Sequence, residues 1–168
     1  MRLALFQPDI PQNVGAAIRL SACFGVPLDI IEPCAFPVSN PSLKRAALDY
    51  GPQAVICRHD SWSDFLRHPA RTEGRLLLFT TRGATRLDRF GFETGDTLLF
   101  GQESVGAPEA VHAAAQGRIR IPIRAQTRSL NLSVSAGVAL FHALAAKGGL
   151  PGDLCEVDGS GLTLSPGT

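Results

Sequence analysis

Short aliphatic runs separated by helical stretches limit the fold of this chain more than any other property of its sequence. Leu3–Phe6, Leu28–Ile31, Leu76–Thr80 and Thr97–Phe100 read as strands, joined by further strands at Ala54–Cys57 and Ile119–Ile121. Helices are expected over Val14–Phe24, near Leu43–Leu48, and over Ser63–Arg67, Pro108–Ala115 and Val134–Leu144. Asn13 stands where it would cap the first helix, Gly25 falls just past its end, and Pro108 suits the first helical position of a later one. Alternation of this kind implies an α/β fold, a mostly parallel sheet with helices on both faces. Such sheets take ligands at the C-terminal ends of their strands, here the Gln7-Pro8, Thr80-Thr81, Gly101 and Pro122 loops.

A chain of 168 residues is one ordinary domain, able to bury roughly 70% of the surface its unfolded form exposes. The domain is expected to span residues 1–147, with 148–168, rich in Gly, Pro and Ser and lacking apolar periodicity, as a flexible tail. The four cysteines, Cys23, Cys34, Cys57 and Cys155, have neither C-x-x-C pairing nor metal-ligand spacing, and read as reduced thiols of a cytoplasmic protein. The opening MRLALFQPDIP breaks at proline after a short apolar run, so no signal peptide or membrane span is expected. The net charge of +1 hides an asymmetry. Because Gly148–Thr168 holds three acids and no Lys or Arg, residues 1–147 carry 16 basic and 12 acidic side chains. All but Lys44 and Lys147 of the basic residues are arginines, which suit phosphate forks but by themselves point only weakly to nucleic acid.

No G-x-G-x-x-G follows the first strand, and neither G-x-x-x-x-G-K-[ST] nor G-x-S-x-G occurs, which argues against dinucleotide, nucleoside-triphosphate and serine-hydrolase chemistry. The histidines are scattered and no metal is expected. Three polar clusters stand at strand ends: Asn13-Val-Gly-Ala-Ala-Ile-Arg19, Phe100-Gly-Gln-Glu-Ser-Val-Gly-Ala-Pro108, and Arg128-Ser-Leu-Asn131. Gly15 and Arg19 share a helix face, leaving room beside the guanidinium. Glu103 lies in a glycine-bracketed turn. Ser129 and Asn131 can hydrogen-bond near the first turn of the last helix, where backbone N–H groups are unpaired. That helix is apolar nearly all round, which places it in the core or against a second copy of the chain.

Together the motifs N-x-G-x-x-x-R at Asn13–Arg19, F-G-x-E-S-x-G-x-P at Phe100–Pro108 and I-P-x-x-x-x-x-R-S-L-N-L-S-V-S at Ile121–Ser135 resemble, in the same order, the SPOUT superfamily of knotted methyltransferases. The branch they resemble is that of the tRNA 2′-O-ribose methyltransferases, from Arg2 to about Lys147. LFQPDIPQNVGAAIRL at Leu5–Leu20, DIIEP at Asp29–Pro33 and LKRAALDY at Leu43–Tyr50 are most similar to the minimal members that modify the wobble nucleotide, position 34, as cytidine or modified uridine. The resemblance implies a deep C-terminal trefoil knot and S-adenosyl-L-methionine as methyl donor, with no metal. Carried over by position, it places the cofactor against Phe79, Thr80, Gly101, Ile121, Ser129 and Leu130. Glu103 and Asn131 match the motif acid and asparagine, while Asn13 and Arg19 match the pair beside the reacting ribose. It implies a homodimer with active sites near the interface, and tRNA as partner.

The family proposal makes the motif arginine the base. For Arg19 that requires neutralising a guanidinium at pH 7, which costs about 7 kcal/mol. A clamp on an RNA phosphate that orients the hydroxyl is the better expectation. The chain departs from many members of the branch at Val105, where they carry arginine, and from some at Gln102, where they carry proline. These positions bear on RNA choice rather than on the cofactor. The alternatives are action on another tRNA position or on rRNA, and, in other classes, a non-catalytic knotted RNA-binding module or a small-molecule α/β enzyme.

Overall fold

The computed structural model describes residues 1–37, 50, 53–152, 156–157 and 163–164, so the helix expected near Leu43–Leu48 lies outside the described residues. Seven strands, β1 (Arg2–Phe6), β2 (Leu28–Ile31), β3 (Ile56–His59), β4 (Leu76–Phe79), β5 (Thr85–Arg86), β6 (Thr97–Phe100) and β7 (Gly117–Arg120), form one sheet. Their order is β3-β2-β1-β6-β4-β7-β5, and every neighbouring pair runs parallel. The helices are α1 (Pro11–Phe24), α2 (Trp62–Arg67), α3 (Pro69–Thr72), α4 (Glu109–Ala114) and α5 (Leu132–Ala146). Two short strands, β8 (Glu156–Val157) and β9 (Thr163–Leu164), pair antiparallel apart from the main sheet.

Both faces of the sheet are covered, which is why its strands are continuous aliphatic runs rather than alternating ones. Leu3, Leu5, Leu77, Phe79, Leu98 and Phe100 meet Val14, Ala17 and Ile18 of α1 and Ala136, Ala139, Leu140 and Ala143 of α5. Ala4, Phe6, Leu76, Leu78 and Leu99 meet Phe65 of α2 and Val111 of α4 on the other face. Alanine at the α1 and α5 contacts lets the two helices sit close to the sheet and to each other.

Several boundaries differ from those expected. β3 starts two residues later than Ala54 and takes in Arg58 and His59, because His59 is drawn to the buried Asp29 of β2, 2.7 Å from its carboxylate. Helix α1 starts at Pro11 with Ile10 as its extended cap residue, so Asn13 is not the N-cap but an interior residue whose side chain is used elsewhere. Pro108 is itself the cap residue of α4, with Glu109 the first helical residue. The apolar helix α5 is not buried all round: Val134, Val138 and Phe141 are 51%, 41% and 53% exposed and form a stripe along one side.

One crossing sets the shape of the C-terminal end. β7 lies between β4 and β5, so residues 80–84, which join those two strands, pass over the end of β7. The pass is backbone against backbone: a Cβ on Gly83 would lie 2.4 Å from the Ile119 carbonyl carbon. Only glycine fits there.

Candidate functional site

The C-terminal ends of β4, β6 and β7, together with the starts of α1 and α5, enclose a cavity of about 580 Å³. That lies within the range of roughly 300–1,000 Å³ usual for small-ligand sites. Phe79 and Phe100, whose rings stack at 4.9 Å, form its floor with Ile119 and Ile121. Thr80, Gly101, Ser129 and Leu130 add polar atoms and backbone along the walls, and Glu103, Asn13 and Asn131 stand at one side. Thus the cavity gathers all six residues expected to hold the cofactor and three of the four expected catalytic residues, Asn13, Glu103 and Asn131. Gln7 and Pro8 do not line it; Ile10 and Asn13 represent that strand end.

A chain of side-chain hydrogen bonds ties the three motifs together. Asn131 is the cap residue of α5, and its Oδ1 accepts from the Ser133 and Val134 backbone N–H groups at 2.9 and 3.3 Å. With its oxygen so committed, its amide nitrogen faces away from the helix and donates to Asn13 Oδ1 at 2.9 Å. Asn13 in turn donates through Nδ2 to Glu103 Oε1 at 2.8 Å, while Glu103 Oε2 accepts from the Asp9 backbone N–H at 2.8 Å. Capping of one helix therefore dictates both amide orientations and aims the Glu103 carboxylate. Asn13 is only 5% exposed, so its own amide is kept out of water, where leaving a bond unmade is expensive, while Glu103 is half-buried and Asn131 exposed toward the cavity.

The Glu103 turn is held closed from within. Gln102 and Gly106 exchange backbone hydrogen bonds at 2.9 Å, and the Asp9 carboxylate accepts from the Ser104 backbone N–H at 3.0 Å. Gly101 enters this turn with no room to spare, since a Cβ there would lie 2.6 Å from the Gly106 carbonyl carbon. Gly101→Ala should therefore force the turn open and lower stability by about 1–3 kcal/mol, the usual scale of overpacking. Thermal unfolding and titration with S-adenosylmethionine would read both the loss and the damage to the cavity.

Arg19 is not brought to the cavity. It lies on the second half of α1, half-buried, with its guanidinium carbon 5.3 Å from the centre of the Tyr50 ring. Val105, at the tip of the Glu103 turn, is 77% exposed, an apolar group at the cavity mouth. Two ionisable residues that sequence reasoning did not single out also line the cavity, Arg82 and His112. Their only sequence signal is position, Arg82 in a strand-end loop and His112 in the helix after the Glu103 turn. Among the described residues no group of three or more His, Cys, Asp and Glu is placed to hold a metal ion.

A parallel sheet with such a cavity at its strand ends, walled by these three motifs, defines an α/β RNA-methyltransferase class. The model of the SpoU rRNA Methylase family matches residues 1–141, and the chain belongs to that family. Among individual relatives, it is 47% identical over 148 residues to the tRNA (cytidine(34)-2′-O)-methyltransferase of Beijerinckia indica, covering 88% of this chain and 92% of that protein. It is 41% identical to the enzyme of the same name from Burkholderia pseudomallei, covering 84% and 92%. A protein solved in a study of 2-OH methylation of C/U34 on tRNA superposes with a TM-score of 0.83 at 44% identity, over 88% of this chain and 96% of that one. An AdoMet-bound rRNA methyltransferase from Sinorhizobium meliloti superposes with a TM-score of 0.77 at 26% identity, over 86% and 55%.

Proposed function

We propose that this protein transfers the methyl group of S-adenosylmethionine to the ribose 2′-hydroxyl of the tRNA wobble nucleotide, position 34, cytidine or modified uridine. The observation that carries the reading is the Glu103–Asn13–Asn131 chain at the side of a cavity sized for the cofactor. The names of its relatives, similar over most of both chains, supply the substrate. Bound there, the cofactor offers a sulfonium methyl, a good electrophile that needs only an aligned oxygen. Alignment of two bound reactants can supply roughly 7–11 kcal/mol, so what the chain must do is hold still. Phe79, Ile121 and Leu130 give the cofactor an apolar seat, and Thr80, Gly101 and Ser129 give it polar atoms. Asn13, Glu103 and Asn131 present a locked row of amides and a carboxylate to the incoming ribose. Arg19 stands outside the cavity, which suits a clamp on an RNA phosphate better than a base at the reacting oxygen. Labelled methyl transfer to total RNA, with mass spectrometry locating the product, should find 2′-O-methylation at position 34 of tRNA. A base-methylated product, or a ribosomal RNA target, would refute the reading.

The same reading includes a homodimer and a deep C-terminal trefoil knot completed by α5, and the passage of residues 80–84 over β7 supports the knot as one of its crossings. The exposed Val134, Val138 and Phe141 stripe on α5 supports the second copy, since i, i+4, i+7 spacing makes one apolar strip and Phe24 of α1 extends it with a ring contact at 6.4 Å. Phe141→Asp should convert the protein to a monomer in light scattering. An unchanged mass would place the dimer face elsewhere. Cytoplasmic work suits the thiols: Cys23, Cys34 and Cys57 are free, and burial beside Glu32 pushes Cys34 up to about 11, so it stays protonated at neutral pH. No helix among the described residues is long and apolar enough to cross a membrane.

A further inference from the structure

The cavity holds a cation that the roles above do not use. Arg82 lines it from the loop after β4, and its Nη2 lies 2.9 Å from Nε2 of His112, which is only 5% exposed. A guanidinium can only donate, so Nε2 of His112 is the acceptor and its ring proton sits on Nδ1. The other end of Arg82 is equally fixed. Its backbone N–H reaches Thr80 Oγ1 at 3.3 Å, and the next residue is Gly83, wedged against β7. Among the described residues Arg82 forms no ion pair. The carboxylate of the cavity, Glu103, already accepts from Asn13 and Asp9. Arg128, the other cation on the cavity wall, has no such tether among the described residues.

A guanidinium held at both ends, facing a cavity and left without a counter-charge, is built to receive an oxyanion. With one N–H of Nη2 engaged by His112, four N–H groups remain to donate, including the second on Nη2. S-adenosylmethionine carries one anionic group, the α-carboxylate of its amino-acid end. We infer that Arg82, positioned by His112, binds that carboxylate and so fixes which way the methyl donor lies in the cavity. An RNA phosphate is the less favoured ligand, because the guanidinium, although Arg82 is exposed, is tethered to the buried His112 of the cavity wall.

This inference rests on the cavity being the S-adenosylmethionine site, and its test separates the two. Wild-type protein and Arg82→Gln are titrated calorimetrically with S-adenosylmethionine and with decarboxylated S-adenosylmethionine, which lacks only the carboxylate. Arg82→Gln should weaken binding of the intact cofactor roughly 10- to 100-fold, the scale of a charged hydrogen-bonded pair, and leave the decarboxylated form within about twofold. His112→Phe should raise the KM for S-adenosylmethionine with kcat unchanged at saturation, and His112→Gln, which restores an acceptor, should recover most of that loss. Equal weakening of both ligands, no weakening of either, or a rise confined to the KM for tRNA would overturn the assignment. A wild-type protein that binds neither ligand would overturn the cofactor reading and this inference together.

Discussion

Asn131→Asp should leave the protein folded and cut methyl transfer roughly 100-fold, the loss expected when reacting groups shift by about 1 Å. Asp caps a helix as well as Asn does, and its oxygen can keep the bonds from the Ser133 and Val134 N–H groups. Stability should therefore stay within about 1 kcal/mol of wild type. What Asp cannot do is donate to Asn13 Oδ1. Two oxygens would then face each other beside a buried amide, and Asn13 can relieve that only by flipping, which turns its own oxygen toward Glu103. Either outcome unlocks the carboxylate from its aim. Turnover with saturating S-adenosylmethionine and tRNA, measured beside a thermal melt, separates this from a folding defect. Near-normal turnover would show that the amide chain serves only to hold α1 and α5 together.

Bonds of this kind lie beyond what a sequence shows. The strands were legible because burial on both faces leaves an unbroken aliphatic signature, and the helices between them because cap and punctuation residues mark their ends. The site was legible as three separate clusters, each at a strand end, and resemblance to a family joined them. The bonds that make them one device were not legible. Asn13 and Glu103 are 90 residues apart, and Asn13 and Asn131 are 118 apart, separations at which no local periodicity carries information. Reading Asn13 as a helix cap failed for a related reason: Pro11 supplies the fixed φ that starts α1, which releases the asparagine for long-range use. Arg82 and His112 escaped notice because a lone arginine and a lone histidine look like surface and core residues until a fold places them together. The exposed stripe of α5 has a different cause. Its composition is apolar on every side, and only the packing of Ala136, Ala139, Leu140 and Ala143 inward decides which side is left for solvent or a partner.

Asp29→Asn should be the most destabilising single substitution away from the cavity, by about 3–5 kcal/mol, the scale for removing one partner of a buried ion pair. Asp29 lies in the middle of the aliphatic β2, 1% exposed. Arg2 grips it with Nε to Oδ2 at 2.8 Å and Nη2 to Oδ1 at 2.9 Å, and His59 Nε2 lies 2.7 Å from Oδ1. Hydrogen bonding to that carboxylate raises the Arg2 pKa. Arg71, also buried, is lowered by desolvation and held up against it by the same negative charge. One carboxylate thus serves groups from β1, β3 and α3. An amide in its place removes the charge and points N–H donors at donors, leaving the half-buried Arg2 and buried Arg71 guanidinium groups without that carboxylate. For a chain of this length the thermal midpoint should fall on the order of 10 °C. Because Asp29 does not line the cavity, methyl transfer per folded molecule at low temperature should match wild type, which sets this variant apart from Asn131→Asp. A fall of under about 1 kcal/mol would mean that water, rather than protein, balances the Arg2 charge.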